Sequence, residues 1–146
     1  MFPYGNEILS NEKRNNMGLF DVFKKKEPKT EEQERMDYLW DLWRLEEVPE
    51  PHNTLMTYYK EIKKGGHTRF FINIAFCGEV QKAVEKIGAL LPSVLCENLK
   101  TAYSHYVVLI NEENEETEEK IAECDKVFDE NEQLILDMLQ EYANSL

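Results

Sequence analysis

From Ile121 to Tyr142 the residues Ile121, Cys124, Phe128, Ile135, Met138 and Tyr142 fall on a seven-residue repeat, with Asn131 in its one polar slot. Alternating three-and-four spacing gathers side chains on one face of an α-helix but scatters them over both faces of a strand, so this stretch buries its apolar residues only as helix. Either one long helix runs through or it breaks near "DENE" and resumes. A self-association seam and packing within one chain both fit such a stripe, and the second is commoner.

The same spacing recurs upstream. Thr30 opens the first helix, with Gln33 in capping-box position and glutamates in the first turn, where the helix dipole favours them. Met36, Leu39, Trp40 and Trp43 supply its inward face. "VPEPHN" breaks it, because both prolines lack a backbone donor. Asn53 is the expected cap of a second helix that buries Leu55, Tyr58, Tyr59 and Ile62 and stops at Gly65 after Lys63 and Lys64. A short aromatic segment follows, then a helix presenting Val80, Ala83, Val84 and Ile87. Pro92 then opens another helix, to about Ile110, buried through Leu95, Leu99, Ala102, Tyr106 and Leu109. No run has the alternation and turn chemistry of paired strands. The expectation is an all-α, single-domain bundle of about six helices over residues 30–146, preceded by a flexible tail over residues 1–29.

At 146 residues the chain is the size of one domain, and 42% hydrophobic residues suffice for one core. Its mean hydropathy is −0.60, and its longest apolar stretches, around Phe70 to Cys77 and Tyr106 to Ile110, are far too short for a transmembrane helix. Within the tail, "MGLFDVFKKK" from Met17 resembles a natural start, leaving 16 residues as an upstream extension. Leu19, Phe20, Val22 and Phe23 beside three lysines offer little membrane-binding area, and a mobile terminus is the simpler reading. The beginning lacks the features of a secretory signal. Cys77, Cys96 and Cys124 are an odd, widely spaced set that suits reduced thiols, so a cytoplasmic protein is expected.

The net charge of −12 is uneven: residues 97–146 hold 14 acidic and 3 basic side chains, whereas the preceding part is nearly neutral. Such a surface repels nucleic acid and anionic membranes and attracts basic proteins or cations. Glu112, Glu113, Glu115, Glu116, Glu118 and Glu119 put six carboxylates in eight residues. If helical, that is one charge per roughly 2 Å of axis; duplex DNA carries about one per 1.7 Å. A solvated linker and a partner-binding surface extended by Glu123, Asp125, Asp129, Glu130 and Glu132 both fit.

Other chemistry finds little footing. "KKGGHTRFF" has neither nucleotide-loop spacing and follows a helix. His52, His67 and His105 lie far apart without a Cys-x-x-Cys or His-x-x-x-His pair, so no metal is expected. Cys77 before Gly78 sits near a helix start that would activate a thiol, but Ile74 and Phe76 beside it suit a buried structural cysteine. Neither a cofactor nor a catalytic residue is expected.

"GGHTRFFIN", followed by "GEVQKAVEKIGA", resembles a bacterial domain-of-unknown-function family that includes a DNA mimic protein. The matching positions are Gly65, Gly66, Phe70, Phe71, Asn73, Ile87, Gly88 and Ala89, with Arg69 in place of the usual glutamine and Lys64 where the family often has asparagine. The ending "FDENEQLILDMLQEYANSL" is similar to the family's acidic final helix, and the resemblance spans roughly residues 30–146. It implies an all-helical, acidic, non-enzymatic domain, sometimes a homodimer, with DNA mimicry toward a transcription regulator as one member's role.

The residues themselves point to a fold-signature corner. Gly65 is expected to take the left-handed turn, Gly66 to pass close to a neighbour, Phe70 and Phe71 to anchor the core, and Asn73 to bond freed backbone groups. Three functional readings stand at this stage. One is a protein-binding module engaging a basic DNA-binding regulator through Glu112 to Glu119, Glu123 and Asp125. The second is an immunity-type protein that neutralises a toxin. The third is a small enzyme with a cleft at His67, Arg69 and Cys77.

Overall fold

The structure is a computed structural model that describes residues 28–75 and 80–146. Five helices are described: α1 (Glu31–Arg44), α2 (His52–Ala75), α3 (Val80–Gly88), α4 (Ser93–Asn111) and α5 (Glu115–Asn144). Among the described residues there is no strand. Residues 1–27, which hold most of the expected tail and the stretch weighed for membrane contact, and 76–79, with Cys77, lie outside the described residues.

The capping box forms as the sequence predicts: Gln33 N–H donates to Thr30 Oγ1 at 3.1 Å, and Thr30 N–H to Gln33 Oε1 at 2.8 Å. These residues belong to a unit ending at Glu34; residues 35–146 form a second compact unit. Within that second unit α1 is held by buried Leu39, by Trp40 tilted against Tyr59 at 6.1 Å, and by Trp43, whose indole N–H donates to Thr57 Oγ1 at 3.1 Å.

The first helix ends at Arg44, ahead of both prolines: Glu46 takes a φ of 60° and the Glu46 and Glu47 amides close back on the Trp43 and Leu42 carbonyls, so the prolines do not set the break, and Asn53 is not the cap of α2. Glu50 Oε1 accepts from both the Thr54 amide (3.1 Å) and the Thr54 hydroxyl (2.7 Å). With helical residues starting at His52, Asn53 already lies inside the helix, and the longer glutamate reaches the free amide instead.

Helical geometry lapses at Gly65 as expected, but only for Gly65 and Gly66. The helix resumes at once, so "HTRFFINIA" is helical rather than a separate aromatic segment, and α2 spans 24 residues with a kink inside it. Gly66, not Gly65, has the left-handed φ of 81°, whereas Gly65 lies at −162°, an extended value open to any residue. Phe70 and Phe71 are fully buried. The Asn73 amide donates to a side chain, Glu61 Oε1, which also accepts from Arg69 Nε at 2.8 Å.

Pro92 is the N-cap of α4 rather than its first helical residue. α4 packs more extensively against α5 than any other pair of helices. α5 runs unbroken through "DENE" for 30 residues. Its fully covered positions are Thr117, Ile121, Cys124, Phe128, Ile135, Leu139 and Ala143, so Leu139 and Ala143 take the places expected for Met138 and Tyr142. A straight helix drifts about 20° per heptad from a 3.5-residue repeat, enough over three heptads to move the buried face by one residue. Asn131 satisfies its own amide on the Val127 carbonyl.

Candidate functional site: an acidic turn beside a buried histidine network

The acidic run is bent rather than helical throughout. Glu112 is the C-cap of α4 in extended conformation, and Asn114 caps α5 by accepting from the Thr117 amide at 3.1 Å. Glu115, Glu116 and Glu118 occupy the first turn of α5, where unsatisfied amides favour carboxylates by about 0.3–1 kcal/mol each at low salt. All six glutamates are exposed, and none makes an ion pair among the described residues. The continuous rod of charge considered from the sequence is thereby replaced by a turn followed by a stripe. Glu115, Glu116, Glu118, Glu119, Glu123, Asp129, Glu130, Asp137 and Glu141 are the exposed carboxylates of α5. At 1.5 Å per residue they give one charge per about 5 Å, roughly a third of the duplex density and below that of a single strand. Exposed Lys120 and Lys126 interrupt them.

Two acids expected on this surface point elsewhere. Asp125 Oδ1 accepts from the His67 amide (2.9 Å) and from His67 Nδ1 (2.7 Å), while His67 Nε2 lies 2.8 Å from the Tyr58 hydroxyl. A carboxylate has no proton to give, so Nδ1 carries a hydrogen toward Asp125, and in the neutral ring Nε2 then accepts from the Tyr58 hydroxyl. His67 and Tyr58 are fully buried, and burial followed by the Asp125 charge pushes the Tyr58 pKa up, keeping that proton in place. Cys124 next to Asp125 is raised in the same way, by burial first, which keeps it a thiol.

Glu132 is the second acid drawn inward. It accepts from Tyr59 at 2.7 Å and from Lys63 at 2.9 Å. The Tyr59 bond, then the Lys63 bond, lower its pKa from the ordinary glutamate value. A depressed carboxylate stabilises the fold above the ordinary range and loses that contribution as pH falls through the lowered value. Urea titrations of the wild type and Glu132→Gln should therefore differ by about 1 kcal/mol near pH 7 and converge as pH falls below that lowered value. A gap that persists at the acid end would show that the ionised form is not what the contacts favour.

His67 and Arg69 turn to different partners. His67 is packed among Tyr58, Phe71 and Phe128, Arg69 pairs with Glu61, and Cys77 lies outside the described residues. A groove of about 660 Å³ instead lies along the α1–α2 connection, lined by Trp43, Arg44, Glu46, Val48, Glu50, Asn53 and Thr57. No sequence pattern marks it, because it arises where the chain reverses between two helices. Among the described residues no group of three or more His, Cys, Asp or Glu could hold a metal ion, and no helix is long and apolar enough to cross a membrane. A scan against protein-family models matches none, and searches of curated proteins and of solved structures return no match.

Proposed function

We propose that the chain is a non-enzymatic, acidic protein-binding module that engages a basic partner through the α4–α5 turn, the candidate partner being a DNA-binding regulator. The observation that carries this reading is the set of exposed glutamates, Glu112, Glu113, Glu115, Glu116, Glu118 and Glu119, left without cations among the described residues. Carboxylates concentrated around one turn raise the local concentration of a cationic partner and steer its approach. The half-charge of the α5 N-terminus offsets only a small part of them. The resemblance at Gly65, Gly66, Phe70, Phe71 and Asn73 supports the same reading, with the cytoplasm as the expected compartment. Glu123 and Asp129 would extend the surface, whereas Asp125 is committed to His67.

The test is capture of partners from a native lysate at low ionic strength, where exposed charges act over tens of ångströms. The wild type is compared with a variant carrying glutamine at all six positions, and bound protein is eluted with duplex DNA. Recovery should fall at least about tenfold in the variant, as expected when several exposed charges each contribute a few tenths of a kcal/mol. Elution by DNA would assign the partner to the DNA-binding class. Elution by salt alone would favour another basic protein, such as a toxin. Undiminished recovery by the variant would sink the acidic-surface reading.

A further inference from the structure

We propose that the exposed flank of α4 formed by Tyr103, Val107 and Ile110 seats an apolar helix face of the basic partner. That inference rests on the acidic-surface reading and adds the contact that would fix orientation. Spacings of four and three residues place the three side chains within about 60° of one another on the helix and over about 10 Å of its length. They adjoin the face that buries Leu95, Leu99, Ala102 and Tyr106, and the Tyr103 ring rests 5.6 Å from that of buried Phe71. Val107 nevertheless remains 39% exposed and Ile110 62%.

Charge complementarity selects the occupant. Lys100 is exposed at one end of this flank, while Glu112, Glu113, Glu115 and Glu116 follow immediately at the other. The free carbonyls at the α4 C-terminus add to the negative end. A partner helix with apolar residues at i, i+4 and i+7 and lysines or arginines beyond one end meets both parts of the surface. A second copy of the chain fits less well, because it brings the same acidic turn to the interface. The apolar area of three side chains also falls well short of the roughly 1,000 Å² of a stable dimer.

The probe is a synthetic helical peptide with leucines at i, i+4 and i+7 and three lysines past one end, its binding read by fluorescence anisotropy. Controls carry serine for the leucines or glutamate for the lysines. The wild type should bind the first peptide and neither control. Val107→Ser with Ile110→Ser, both exposed and so compatible with folding, should weaken binding at least about tenfold. The six-glutamine variant should bind weakly at low salt and lose the salt dependence. Failure of the wild type to bind, or equal binding by the serine variant, overturns the docking proposal; loss in the six-glutamine variant alone would still leave the acidic-surface reading standing. Equal binding by both variants removes support from both. A dimer by sedimentation that Ile110→Ser dissociates would assign the flank to a second copy and overturn the proposal as well.

Discussion

Truncating Phe128 to alanine is expected to lower stability by about 3–5 kcal/mol, the range for removing a buried aromatic side chain. Phe128 is fully buried and meets Tyr58 edge-on at 5.6 Å, Tyr59 at 6.1 Å and His67 at 6.3 Å. It thus joins α5 to both segments of the kinked α2, so neighbours on two sides must collapse to refill the space. Since a domain of this size has only about 5–15 kcal/mol in all, the variant should lose a large fraction of its stability. Urea denaturation followed by circular dichroism measures the loss. A cost below about 1 kcal/mol would contradict the packing described.

Gly66→Ala should be nearly as damaging, for a different reason. With φ at 81° and ψ at −174°, Gly66 lies in a region essentially reserved for glycine, which costs another residue about 1–3 kcal/mol. A Cβ there would also overlap Asp125 Oδ2 and stand 2.9 Å from its Cγ, displacing the carboxylate from the His67 amide and ring. Losing one of these hydrogen bonds adds about 1–3 kcal/mol, giving about 2–6 kcal/mol in total. The two parts separate in a double-mutant cycle: in an Asp125→Ala background the glycine substitution should cost only the backbone strain, a coupling of about 1–2 kcal/mol. Additive losses would mean that Gly66 does not make room for Asp125. Gly65→Ala serves as contrast, since its φ is unstrained and its nearest obstacle is the flexible Arg69 side chain at 2.7 Å.

The two glycines illustrate how far the sequence could be read. Helical class followed from three-and-four spacing, and the α1 start from Thr30 and Gln33, because both signals are local. That the chain turns aside at Gly65–Gly66 was also legible. Which glycine takes positive φ was not, since that choice depends on Asp125 approaching from 58 residues away. Asp125 itself looked like one more charge in an acidic helix. Its only sequence sign was its place directly after Cys124, at the margin of the buried face. "DENE" resembled a break because four polar residues stand together, yet Asp129 and Glu130 merely fill the solvent side of a continuous helix. Asn73 was expected to cap backbone left open by a corner; the His67 amide freed at the kink is taken by Asp125 instead, and the Asn73 amide turns to Glu61.

The central claim is that binding resides in the exposed glutamates of the α4–α5 turn and not in the buried Tyr58–His67–Asp125 network. The most direct test is recovery of partner protein at low salt by two variants side by side, the sixfold glutamate-to-glutamine chain and Tyr58→Phe. Tyr58→Phe removes the hydroxyl that donates to His67 while keeping the ring packed, so it should bind as the wild type does. The sixfold variant should lose the partner. Retention by the sixfold variant together with loss in Tyr58→Phe would contradict the account and move function to the histidine.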